Sequence, residues 1–226
     1  MIIAIDGPAA TGKSTTAKAV ASRLGFTYLD TGAMYRAVTF AVLDKNITIS
    51  DKKEMVTFLK SLKINFISDG CTKNITLNNK DITNEIREPY VTAKVSEVSA
   101  IPSVRESMVS LQRKLAQGEN CIVEGRDIGT VVFPNADLKF FMIADDKIRA
   151  ERRRKDLLAL GRIEELEDLE TEIKIRDEKD SSRNLSPLKR AKESVLIDTS
   201  RLDFQEQVEL IISKIKQKQK EKRIND

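Results

Sequence analysis

The stretch that most limits how this chain can fold is its first twenty residues, MIIAIDGPAATGKSTTAKAV. Residues 2–5 are a continuous apolar run, the pattern of a parallel strand buried on both faces. Gly7, Pro8, Ala9, Ala10, Thr11, Gly12, Lys13 and Ser14 then satisfy G-x-x-x-x-G-K-[ST], and Thr15 follows. Small residues let the loop's backbone N–H groups curl around phosphate oxygens. The helix that follows turns its N-terminal N–H groups toward the same anion. Lys13 is spaced to reach the β- and γ-phosphates of a nucleoside triphosphate, and the Ser14 hydroxyl to ligate Mg²⁺. Strand, glycine loop and helix in this order call for an α/β fold with a parallel sheet, its functional groups gathered at the strands' carboxyl ends.

The rest of the chain agrees. Apolar runs at 26–30, 120–124, 138–144 and 194–198 bring the expected strands to five. Helical texture fills 14–24, 31–43, 50–62, 84–99, 102–117, 146–160, 164–179 and 204 onward. Gly25 and Gly118 suit helix C-termini, and Pro102 a first helical turn. Asp51 and Glu54 have capping-box spacing. Residues 63–83 alternate polar and apolar around turn residues, which predicts an antiparallel, half-exposed hairpin inserted beside the core. The lysine-rich end of the last helix is expected to fray.

Composition removes several chemistries. The chain has 226 residues and no histidine, which excludes a histidine general base, a Ser-His-Asp triad and any histidine-bound metal. Two cysteines, Cys71 and Cys121, cannot build a four-cysteine zinc site. The expectation is a reduced, cytoplasmic protein with no signal peptide and no membrane span. The net charge of +4 is dispersed along the chain, which suits small polyanions better than nucleic acid.

A triphosphate loop leaves open what happens to the phosphate. A GTPase switch would want Asn-Lys-x-Asp, and Asn79-Lys80-Asp81 is one residue short. A motor would want a strand ending in Asp-Glu, whereas 121–127 reads CIVEGRD. A small-molecule kinase would want arginines for a second anion, because guanidinium binds phosphate bidentately. Arg36 and Arg126 lie just past strand ends, and Arg176, Asp180 and Arg183 lie together in IRDEKDSSR. The run RAERRRK, with Arg149, Arg152, Arg153 and Arg154, reads either as a solvated helix face or as a lid over the transferring group, where Arg152 and Arg153 would act. No general base is evident. A phosphate acceptor needs none, since its second pKa of about 6 leaves it largely ionised at neutral pH. A sensor that binds triphosphate without turnover is the reading from another class.

IAIDGPAATGKST, LDTGAMYRAV, EGRDIGTVVFPNADLKFFMIA and IRDEKDSSRNLSPLKRA, in that order, resemble the bacterial-type cytidylate kinase family. The resemblance implies a P-loop kinase fold: a three-layer α/β/α core with a five-stranded parallel sheet, a nucleoside-monophosphate-binding insert with a small antiparallel sheet, and an Arg-rich lid. It places the core at 1–35, 100–146 and 164–226, the monophosphate-binding domain at 36–99 and the lid at 147–163. It implies transfer of the γ-phosphoryl of ATP to CMP or dCMP with Mg²⁺, in a monomer. Thr31, Arg36, Arg126 and Arg183 match positions around the acceptor phosphate. Ser96, Arg105 and Asp127 match contacts to the cytosine edge, and Arg176 and Asp180 contacts at the ribose. A carboxylate or hydroxyl accepts from the cytosine amine, and an arginine donates to its acceptors. Uracil presents the opposite pattern there.

Overall fold

The computed structural model describes residues 1–69, 72–159 and 161–225. The opening run is β1 (Ile2–Asp6), followed by α1 (Lys13–Leu24), β2 (Thr27–Asp30), α2 (Thr31–Asp44) and α3 (Lys52–Ser61). Then come β3 (Ile64–Asp69), β4 (Thr72–Leu77), β5 (Lys80–Asp81), α4 (Pro89–Ser99) and α5 (Pro102–Leu115). The chain continues through β6 (Cys121–Gly125), β7 (Leu138–Ile143), α6 (Asp146–Leu158), α7 (Leu166–Ser181), β8 (Val195–Asp198) and α8 (Phe204–Asn225). It divides into two compact units, one of Met1–Leu29 with Ala116–Asp226, the other of Asp30–Leu115.

The first unit is built on the five expected strands, in the order β2-β6-β1-β7-β8. β1 pairs in parallel with β6 (Ile3 beside Ile122) and with β7 (Ile3 beside Leu138), and β7 pairs in parallel with β8. The first strand therefore lies at the centre, and the chain leaves its carboxyl end directly into the glycine loop. Ile3, Ile5, Ile122, Phe140, Met142 and Ile197 pack against Ala17 and Val20 of α1 and Val208, Ile211, Ile212 and Ile215 of α8. The spacing of those four α8 residues is one apolar helix stripe. Gly25 ends α1 in a left-handed conformation, at φ 66°. Cys121 is buried at the start of β6; Cys71 lies outside the described residues.

The lysine-rich end of α8 differs from expectation. It stays helical to Asn225, and Lys222 pairs with Asp137, whose other oxygen accepts from the Ile2 N–H at 2.6 Å. The last turns are thus tied to the start of the central strand. α6 ends at Leu158, and Leu160, where that helix was expected to stop, lies outside the described residues.

The second unit carries the expected hairpin as a three-stranded antiparallel sheet, β3-β4-β5, with Phe66 opposite Ile75. The helix expected over 84–99 is broken. Glu85–Arg87 forms one tight turn, Glu88 is extended (φ −61°, ψ 147°), and α4 begins at Pro89. Proline lacks an N–H and drives the preceding residue out of the helical region, so it can only open a helix here. Asp51 caps α3 through the Lys53 and Glu54 N–H groups, at 2.9 and 3.0 Å. Glu54 does not close the capping box; its carboxylate accepts from the Thr48 N–H instead.

Candidate active site

In the first unit the glycine loop joins β1 to α1. Gly7 (φ 147°) lies so close to β7 that a Cβ there would stand 2.1 Å from the Met142 carbonyl oxygen. Gly12, at φ 89°, precedes α1 without a side-chain cap, and no acidic residue stands in that helix's first turn. The first-turn N–H groups and the positive end of the helix dipole are left for an anion. Lys13 is buried, and its Nζ donates to the Pro8 carbonyl and to Thr11 Oγ1. Burial and the positive charge of Arg126 bring its ammonium down to about 7, against the pull of Glu124, Asp6 and Asp177. A triphosphate arriving here would meet a lysine held by the loop's own oxygens and short of counter-charge.

The Ser14 hydroxyl donates to Glu124 Oε2 at 2.9 Å, and the Tyr28 hydroxyl to the other oxygen of the same carboxylate. Glu124 thereby fixes the one side chain with metal-ligand spacing in the loop. Among the described residues no cluster of acids or cysteines could hold an ion alone. A serine oxygen completed by phosphate oxygens and water is the donor set Mg²⁺ prefers, so the loop fits that ion in company with a nucleotide.

Beyond β6 the chain makes a wide turn, Ile128–Val132, opened by the Asp127 carbonyl accepting from the Val131 N–H at 2.8 Å. Asp6, at the end of β1, holds this turn by accepting from the Ile128 and Gly129 N–H groups at 2.8 and 2.7 Å. Burial raises the Asp6 carboxyl to about 6 despite those two hydrogen bonds, with a further push from Asp127. Arg126, at the head of the turn, donates from Nε to Asp180 Oδ2 at 3.0 Å. Arg183 meets Asp180 Oδ1 at 3.5 Å and donates to its carbonyl at 3.2 Å. Burial disfavours the Asp180 carboxylate, yet Arg126, Arg183 and Arg176 together outweigh it and hold the group below the usual carboxylate range. Three arginines thus surround one buried acid on α7, and Arg126 is near enough to Lys13 to depress it.

The arginine-rich helix α6 contributes unevenly. Arg152 donates to Thr199 Oγ1 at 2.9 Å and to the Thr199 carbonyl at 2.7 Å, and lies beside Gly12. Arg153 is half-buried and makes no hydrogen bond or ion pair among the described residues. Arg149 is buried against the loop, where its guanidinium meets Asp177 and the Ala9 carbonyl.

In the second unit Asp30 caps α2 by accepting from the Ala33 N–H at 2.8 Å, and its other oxygen meets Arg36 at 3.4 Å. Arg36 Nε is buried and has no partner among the described residues. Thr31 is buried in the first turn of α2, and Ser96 is on α4. Arg105, on α5, is buried, stacks on Tyr35 at 5.1 Å and donates to the Ser99 carbonyl at 3.2 Å. The expected residues fall in two groups: Lys13, Ser14, Arg126, Asp127, Arg152, Arg153, Arg176, Asp180 and Arg183 in the first unit, and Thr31, Arg36, Ser96 and Arg105 in the second.

Sequence reasoning passed over Asp6, Glu124 and Asp177. Asp6 carried a signal, an acid at the end of a run buried on both sides. Glu124 carried the same one. Asp177 looked like an ordinary charge on a charged helix, and Arg149 reads with its basic run as a solvated face or a lid.

Comparison with known proteins gives these geometries a family. The family model described as cytidylate kinase matches residues 3–217. A protein named cytidylate kinase from Lactobacillus johnsonii is 44% identical over 220 residues, 97% of this chain and 96% of its own length. One of the same name from Streptococcus pneumoniae is 49% identical over 210 residues, 92% and 94% of the two chains. Among solved structures, an uncharacterized protein from Eubacterium ventriosum shares the fold, with a TM-score of 0.54 at 14% identity, covering 96% of this chain and 98% of its own. The chain belongs to the cytidylate kinase family.

Proposed function

We propose that this chain is a cytidylate kinase, which transfers the γ-phosphoryl group of ATP to CMP or dCMP and releases ADP with CDP or dCDP. The observation that carries the reading is the pairing, within one compact unit, of a phosphate loop and a triple-arginine cluster near enough for Arg126 to depress Lys13. Two cationic groups this close suit two anions that must meet. The loop residues Gly7 to Thr15 take the triphosphate, with Lys13 on the β- and γ-phosphates. Ser14, with phosphate oxygens, would hold Mg²⁺, which would supply charge neutralisation at the transferring group. Arg36 and Arg126 neutralise the acceptor phosphate, together with Arg183 and the Thr31 hydroxyl. Asp180 and Arg176 hold the ribose, and Ser96, Arg105 and Asp127 read the cytosine edge.

No residue has to remove a proton from the acceptor. The attacking oxygen belongs to an ionised phosphate, so catalysis reduces to alignment and charge neutralisation. Residues 147–163 act as the lid, bringing Arg152 and Arg153 to the equatorial oxygens, and residues 36–99 bind the monophosphate. The protein works as a monomer in the cytoplasm, in pyrimidine nucleotide metabolism, without nucleic-acid or membrane partners. No helix among the described residues is long and apolar enough to cross a membrane.

Arg36→Ala and Arg126→Ala test the acceptor assignment. Both should lose turnover with every monophosphate, by roughly a hundredfold or more, as expected when a charged donor to a transferring phosphate is removed. Unchanged turnover in either variant refutes its place at the acceptor.

A further inference from the structure

The backbone of Ala9, third residue of the glycine loop, is held at both its N–H and its carbonyl. Its N–H donates to Asp177 Oδ1 at 3.2 Å, and its carbonyl accepts from an Arg149 Nη at 3.2 Å. The same Arg149 nitrogen donates to the other Asp177 oxygen. A closed ring of three hydrogen bonds therefore joins the loop to α6, which carries Arg149, and to α7, which carries Asp177. Arg149 is only 5% exposed, and its second Nη donates to Asp146 at the start of α6. Ala10, the next residue, has φ 57° and packs against the small apolar cluster of Ala150, Leu157, Leu169 and Ile173 between the same two helices. An alanine adopts that left-handed conformation at a cost, so its surroundings must hold it there.

A carboxylate is out of place beside a triphosphate loop. Its charge opposes the ligand's, and the field of Asp177 reaches Lys13. We infer that Asp177 and Arg149 are positioning residues for the phosphate donor: together they fix the backbone on both sides of the Ala9 Cα and with it the curvature of the loop that receives ATP. This deepens the proposed function and rests on it for the identity of the ligand. Neither side chain has to touch the nucleotide. The ring also ties the loop to α7 three residues from Asp180, so one rigid helix sets both the donor loop and the arginine cluster.

The sign of one substitution separates this from simple proximity. Asp177→Asn removes a negative charge near the triphosphate, which by Coulomb attraction alone would tighten ATP binding. Loss of the clamp acts the other way. The measurement is isothermal titration of Asp177→Asn and Arg149→Lys with Mg²⁺ and the non-hydrolysable ATP analogue AMP-PNP. Each should bind roughly tenfold more weakly than the parent, the scale of one lost charged hydrogen bond. In turnover the KM for ATP should rise while that for CMP stays within about twofold. Asp146→Asn, which removes the exposed partner of Arg149, should leave binding unchanged. Arg149→Lys keeps charge and stem but loses the fork, so it reports on the ring even if Asp177→Asn folds poorly. Equal or tighter analogue binding by Asp177→Asn, or an equal loss in Asp146→Asn, overturns the inference. Because the titration needs no acceptor, it stands even where CMP is not turned over, an outcome that would refute the proposed function alone.

Discussion

Removing Asp180 should destabilise the nucleotide-free protein and make it responsive to added phosphate. The side chains of Asp180 and Arg183 are 6% and 7% exposed, and that of Arg126 is 20% exposed. Asp180→Ala removes the buried acid with which Arg126 and Arg183 pair and whose charge Arg176 also favours. Breaking a buried ion pair from one side costs about 3–5 kcal/mol, and the partial exposure of Arg126 favours the low end, about 3 kcal/mol. For a chain this long, each kcal/mol moves the melting temperature by roughly 2–4 °C, so the fall should be roughly 6–12 °C. The assay is thermal unfolding at neutral pH with and without inorganic phosphate or CMP. Asp180 has a depressed pKa, so its stabilising contribution is fully present above the ordinary carboxylate range. It is lost only as pH falls through the lower folded value. Added phosphate should restore more stability to Asp180→Ala than it adds to the parent, because it replaces the missing charge. A melting temperature unchanged by the substitution, or an equal phosphate response in both proteins, would refute the claim that the three arginines depend on Asp180.

Three other predictions follow from the same geometry. Gly7→Ala would place Cβ 2.1 Å from the Met142 carbonyl oxygen, so loop or strand must move; ATP binding should be lost and stability should fall by about 1–3 kcal/mol or more. A Gly7→Ala protein with parental melting temperature and ATP affinity would contradict this. Lys13, with its free-state value near 7, should take up close to one proton when ATP binds at pH 8, and affinity should fall up to roughly tenfold per pH unit above 7. Titration in buffers of different ionisation heat reads that uptake, and its absence at pH 8 would count against the assignment. Asp6 has a raised pKa, so its contribution to stability is fully present below the ordinary value of 3.8 and is lost as pH rises through about 6. Asp6→Asn should therefore remove about 1 kcal/mol of stability loss between pH 5 and pH 7, read by chemical denaturation at the two values.

Much of the frame was legible in the sequence because buried parallel strands leave continuous apolar runs. All five strands of the main sheet fell within a residue or two of their observed ends, and Gly25 stops α1 as expected. The antiparallel insert was visible in its alternation, although β5 has only two residues and gave no pattern to read. Pro89 inside an expected helix was a breaker given too little weight. The fraying expected at the end of α8 failed because local charge says nothing of a distant partner, here Asp137.

The site divides along the same line. Lys13, Ser14 and the arginines past strand ends stood out because their chemistry is unusual in those positions. Their supports did not. Asp177 contributes by meeting Ala9, 168 residues away, and Glu124 by meeting Ser14, 110 residues away. Arg152 was legible as part of a basic run, but its bonds to Thr199 were not, because no local pattern links that residue to α6. Hydrogen bonds of this range are set by the sheet order.

The central claim is transfer of phosphate to a cytosine nucleotide, and a coupled ADP-release assay tests it most directly. The enzyme is given Mg²⁺ and ATP with each of CMP, dCMP, UMP, AMP, GMP and dTMP. The account predicts fast turnover with CMP and dCMP and slow turnover with UMP, because uracil leaves the polar groups proposed to read the base unpaired. Equal turnover with UMP would contradict the base-reading roles of Ser96, Arg105 and Asp127. No turnover with any acceptor, despite ATP binding, would contradict the kinase itself.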